Sequence, residues 1–206
     1  MGLIVNLILA LGFAGAAAAA VQVWRHHLAD ARREGMRALA ARRGWALMAT
    51  EERLGRVGTL RLSPRGGLPW VAEARPKDGK TPPVTLYEAE APRWAEGRLV
   101  MAAGVDLRGL RDALGEEAGL AALPRVEGPE GAIVLSDGAP AQRVDLAQLA
   151  QVLRAWAPIA PGARGQPLLI LSPQGFSLRL GHSIRRPEQM EPFLDLALDL
   201  SRLIGP

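Results

Sequence analysis

Residues 2–24 contain no charged side chain, and six arginines follow within residues 25–45. This junction of an apolar run with a basic block restricts the fold more than any other feature of the chain. At about 1.5 Å per residue, a helix over 2–24 covers the roughly 30 Å hydrocarbon layer of a bilayer with slight tilt. Leu3, Ile4, Val5, Leu7, Ile8, Leu9, Leu11, Phe13, Val21 and Val23, at about −0.5 kcal/mol each, favour insertion by on the order of 5 kcal/mol. Asn6 and Gln22 lie near the ends of the run, and Trp24 stands where an interfacial aromatic belongs. A cleaved signal peptide is the rival reading, because the alanines at 16–20 satisfy a small-residue cleavage rule. Against it, no Lys or Arg precedes the apolar run and the positive block follows it. The expectation is a retained single-pass transmembrane helix.

The position of the charge supports the same reading. Arg25, Arg32, Arg33, Arg37, Arg42 and Arg43 outweigh Asp30 and Glu34, so this short stretch carries +4, the net charge of the whole chain. Residues 46–206 are neutral in sum. A nucleic-acid binder spreads cations over a groove-sized face of its folded domain, so no nucleic acid is expected. The lipid bilayer is the first expected partner, with Trp24, Arg25, Arg32, Arg33 and Arg37 as membrane-surface contacts at about 1 kcal/mol per cation near anionic lipid. By the positive-inside rule, the C-terminal domain faces the cytoplasm from a bacterial inner membrane, with a periplasmic domain as the alternative. Gly12, Ala16 and Ala20 recur at intervals of four, a strip of small residues suited to helix pairing.

The chain divides into a transmembrane helix over 2–24, an Arg-rich juxtamembrane helix over 25–44 and one domain over 45–206. The middle segment has a thin apolar stripe (Leu28, Ala31, Leu39, Ala40), which predicts a solvated stalk ending at Gly44. Strands are expected at 45–48, 58–62, 70–74, 84–90, 98–102, 132–135, 168–171 and 176–180, separated by Gly and Pro punctuation. Helices are expected at 107–114, after Asp145, and at 187–204, where Pro187 opens and Gly205 closes a broad apolar side. Helices and hairpins in irregular order predict an α+β domain with a mixed or antiparallel sheet and a C-terminal helix packed across it. Leu62-Ser63-Pro64-Arg65-Gly66 and Leu171-Ser172-Pro173-Gln174-Gly175 echo each other, which shared turn chemistry explains as well as duplication does.

The chemistry-bearing patterns fail on spacing. There is no Cys, which excludes disulfides, thiolate metal sites and a cysteine nucleophile. Asp78-Gly79-Lys80-Thr81 ends like a phosphate loop, but Ala74 stands where its first Gly belongs and Pro82-Pro83 forbid the following helix. His26, His27 and Asp30 lie at the membrane boundary, and His182 has no sequence partner as a general base. Glu51-Glu52 and Glu116-Glu117 are adjacent and point apart, and Trp45, Trp70, Trp94 and Trp156 read as scattered packing residues. No catalytic residue, cofactor or metal is assigned.

The N-terminal helix, the segment Leu39-Ala40-Ala41-Arg42-Arg43-Gly44-Trp45 and the terminal Phe193-Leu194-Asp195-Leu196-Ala197-Leu198-Asp199-Leu200 together resemble bacterial single-pass membrane-anchored α+β domains of unknown function. The resemblance lies in layout and carries over no active residue. The expected function is a membrane-tethered, non-catalytic interaction or scaffold module that binds a protein partner or itself. The alternative is an anchored enzyme without a short motif, for which a pocket around His182 or Arg185-Arg186 is required.

Overall fold

A computed structural model describes residues 2–50, 58–91, 96–115, 117, 119–137 and 143–205, apart from the side chains of 2–16, 18 and 25. One helix, α1 (Gly2–Arg43), runs without a break, and Gly44 ends it at φ 68, a conformation that side chains with a Cβ resist. There follow β1 (Trp45–Ala49), β2 (Leu60–Pro64), β3 (Trp70–Arg75), β4 (Val84–Ala89) and β5 (Leu99–Ala103). Next come α2 (Leu107–Leu114), β6 (Arg125–Val126), β7 (Ala132–Ser136) and α3 (Leu146–Arg154). The chain closes with β8 (Leu168–Ser172), β9 (Gly175–Leu180) and α4 (Pro187–Ile204).

The nine strands form one sheet in the order β1-β2-β3-β4-β9-β8-β5-β7-β6, and every neighbour pair is antiparallel. The fold is therefore α+β, as the sequence predicts, and of the two expected sheet types the antiparallel one is found. The long-range joint is β4 with β9, where Tyr87 stands opposite Leu178.

Alternation along the strands sorts side chains onto two faces. One face carries Leu62, Ala72, Tyr87, Leu178, Leu169 and Met101, buried beneath the end of α1, α3 and α4. Trp45, Trp70, Tyr87 and Phe176 form a row of aromatic rings across it, with successive centroids 5.5, 5.5 and 5.7 Å apart. The tryptophans at 45 and 70 are thus paired and not scattered. On the other face, Val100, Ala102, Leu135, Leu168 and Ile170 pack under Leu110 and Leu114 of α2. Strand β5 is consequently buried at all five positions, as a strand covered on both sides must be. The remaining half of that face, over β1 to β4 and β9, carries charged and exposed groups such as Met48, Arg61, Arg75 and Glu88.

Local signals place the helices. Asp106 accepts from the Gly109 amide at 2.7 Å and Asp145 from the Gln148 amide at 3.0 Å, each satisfying an otherwise orphaned donor. The echoed pentapeptides build different connections. In the second, Ser172 pairs with Gly175 across a two-residue turn, whereas the chain between Pro64 and Trp70 bends over 65–68. Gly175 sits at φ 132, and a Cβ there would lie 2.5 Å from the Ala89 carbonyl oxygen. Gly175→Ala is expected to destabilise by about 2–3 kcal/mol in urea unfolding, from backbone strain plus a displaced β4–β9 contact. A change below about 0.5 kcal/mol would show that the close approach is not kept in solution.

One expectation needs correction, and a second finds no support among the described residues. The sequence predicts a solvated stalk up to Gly44, but Met36, Leu39 and Ala40 are 0, 3 and 3% exposed and belong to the main core. The stripe looked thin because its covering partner is α4, some 150 residues away in sequence. The second concerns the bilayer: among the described residues no helix is long and apolar enough to cross a membrane. The side chains of 2–16, including the expected pairing residues Gly12 and Ala16, lie outside the described residues, so the transmembrane reading of 2–24 finds no support there.

Candidate functional site

The feature that sets this domain apart is the joint between α1 and the sheet, and it is built from both ends of the chain. Helices α1 and α4 lie side by side and run in the same direction. A Cβ on Gly35 would come within 3.0 Å of Pro187 Cγ, so the helices approach closely where α4 begins. From the next residue onward, Met36, Leu39 and Ala40 are buried in one cluster with α4 and the sheet. Arg42 then reaches Glu191 at 2.6 Å, and Arg43 bridges Glu191 at 3.3 Å and Asp195. The Arg43 guanidinium also lies 5.2 Å from the centroid of the Trp45 ring.

Magnitudes separate the roles of these contacts. Fully burying a Met or Leu side chain contributes about 1.5–3 kcal/mol each, so Met36 and Leu39 hold the joint together. The ion pairs are partly exposed and contribute roughly 0–1 kcal/mol apiece. What they add is rotational register, because they hold the Arg42–Arg43 side of α1 towards Glu191 and Asp195.

The expected membrane-surface residues lie beyond this joint along α1. Trp24 is 63% exposed, Arg32 and Arg37 are exposed, and Arg33 is half-buried. Arg37 bonds Glu34 at 3.4 Å, one turn back on the same helix. Ala20 is exposed, and the Arg25 side chain lies outside the described residues. His26 and His27 are exposed, and among the described residues no three metal-binding side chains stand together. Trp94, Glu51, Glu52 and Glu116 fall outside the described residues.

At the end of the sheet beyond which the N-terminal part of α1 projects, opposite to the Gly44–Trp45 junction, Thr85 pins the segment between β9 and α4. Its buried hydroxyl donates to the His182 carbonyl at 2.7 Å and accepts from the Ile184 amide at 2.8 Å. Arg185 holds the Gly58 carbonyl at 2.7 Å, tying the same segment to the start of β2. The contribution of His182 here is thus made by its backbone. Four of the shallow depressions on the described surface are lined by residues other than His182, Arg185 and Arg186. The one on the open sheet face, about 460 Å³, brings together Arg61, Glu73, Glu88, Gln174 and Ser177. Glu73 there bridges Arg75 at 2.9 Å and Arg61 at 3.7 Å.

Tyr87, the sole tyrosine, lies 1% exposed beneath α4, and burial pushes its phenol from the ordinary 10.0 to about 12, with Ser201 and Arg202 opposing the shift. The unfolded chain therefore releases this proton well before the folded one does. Stability is intact below about pH 10 and is expected to fall by about 3 kcal/mol as the pH climbs from 10 towards 12. Phenolate absorbance reports this one residue, and Tyr87→Phe should abolish the slope. An absorbance midpoint near 10 in the folded chain would refute the burial argument.

Sequence reasoning missed Met36 and Thr85, whose importance comes from remote partners. A buried Met at i, i+3 and i+4 from Leu39 and Ala40 is the one signal that could have marked the joint. In comparisons with protein-family models, curated proteins and solved structures, nothing matches this chain.

Proposed function

We propose that this chain is a membrane-tethered, non-catalytic interaction module, anchored in a bacterial inner membrane by residues 2–24 with its α+β domain in the cytoplasm. The observation that carries this reading is the course of α1, which passes from the uncharged stretch into the core of the domain as one unbroken helix. A tether made this way holds the domain at a set height and rotation, which serves presentation of a surface to a protein partner or a second copy. The Arg collar beyond the joint fits the cytoplasmic surface of such a membrane. The partner surface that best fits is the open sheet face beside β1, where Met48 is 68% exposed.

Membrane fractionation with high-salt and alkaline washes is the first test. The chain should stay in the pellet through both, and a reporter fused after Pro206 should give a cytoplasmic signal. Release by alkali, or loss of the first two dozen residues in the mature protein, sinks the anchor. Pull-down of the detergent-solubilised chain should recover a partner or a dimer, and recovery of neither counts against an interaction role.

A further inference from the structure

We infer that the domain has a second contact with the bilayer, in which the end of the sheet beyond which the N-terminal part of α1 projects docks onto anionic lipid headgroups. This rests on the anchoring proposed above. The topology brings the surface together from three separate places. Residues 76–83, which carry both lysines of the chain, link β3 to β4 at the Arg75–Val84 end of that pair. The β9–α4 segment, ending in Arg186, lies at the same end because Thr85 holds it there. Arg164 is beside Gly181, whose Cβ position would lie 3.2 Å from the Arg164 Cα. Lys77, Lys80, Arg164 and Arg186 are all exposed. Asp78 accompanies the lysines and the exposed Glu188 follows Arg186, while the exposed Glu127 and Glu130 stand towards the far edge, between β6 and β7.

Helix α1 fixes which way this surface faces. Gly35 touches Pro187, next to Arg186, and the chain from Gly35 back to Trp24 rises about 16 Å. Headgroups occupy about 6 Å of that gap and the ionic atmosphere extends about 8 Å beyond them. An ordinary helix tilt of about 20° closes the remainder. The basic loops therefore face lipid phosphates across a distance that long cationic side chains can bridge, whereas the 65–68 bend lies at the opposite end of the sheet.

The absence of cysteine makes the test direct, because Thr81→Cys or Leu68→Cys introduces a unique labelling site in the full chain. Each labelled protein is reconstituted into vesicles of phosphatidylcholine alone or with phosphatidylglycerol, and quenching by a headgroup-borne quencher is read. The Thr81 label should be quenched severalfold more in anionic vesicles, and the Leu68 label equally in both. Lys77→Glu, Lys80→Glu and Arg186→Glu should each reduce the docked population about fivefold while the protein resists alkaline extraction. Should a reversal impair folding, 1 M salt on the unreversed chain must produce the same loss. Equal quenching at both positions, insensitivity to lipid charge, or shielding of Thr81 by a DNA duplex and not by lipid would overturn the docking while leaving the anchor in place. Alkaline release of the protein would instead overturn the anchor, and the docking with it.

Discussion

Phe193→Ala is expected to lower the unfolding free energy by about 3–5 kcal/mol. Phe193 is fully buried on α4, with its ring edge-on to Trp156 of the segment after α3, centroids 6.1 Å apart. Truncation removes the apolar area and leaves a void between two helices that the sheet holds apart, so collapse can recover little of it. Against a domain total of about 5–15 kcal/mol, the variant should lie near the edge of folding. Urea unfolding followed by tryptophan emission gives the number, with the slope against urea unchanged. A loss under about 1 kcal/mol would mean that α4 does not close the core as described.

Met36→Asp should be comparably severe, at about 3–5 kcal/mol, because it places an uncompensated charge where the native side chain has no exposed surface. The expected local signature is loss of amide protection across residues 36–43 before the sheet itself exchanges. Arg37→Ala on the next residue, exposed and paired only along the helix, should change stability by less than about 0.5 kcal/mol. Similar effects from the two variants would show that α1 does not enter the core.

Helix α4 spans Pro187–Ile204, the expected bounds, since its punctuation and its apolar side are both local. Leu107–Leu114 is likewise found as expected, with an Asp cap in front. Strand β6 has no signal in the sequence, for two residues among glycines and prolines carry no period and gain strand character only by pairing with Leu135 and Val134. The burial of Met36 and the company kept by Lys77 and Lys80 depend on which strand lies beside which. That follows from the β4–β9 pairing, between segments some ninety residues apart, and no local pattern records it.

The missing hinge between α1 and the sheet has a mechanical consequence for the proposed tether. A flexible leash would let the domain wander, hiding from it whatever happens in the lipid. Here the helix acts as a lever: any change in bilayer thickness or in helix packing that tips the anchor must swing the whole plate of strands by the same angle. Height above the membrane and the bearing of the uncovered face would then change together, so that a partner on that face could sense the state of the lipid through the pose in which it meets the domain.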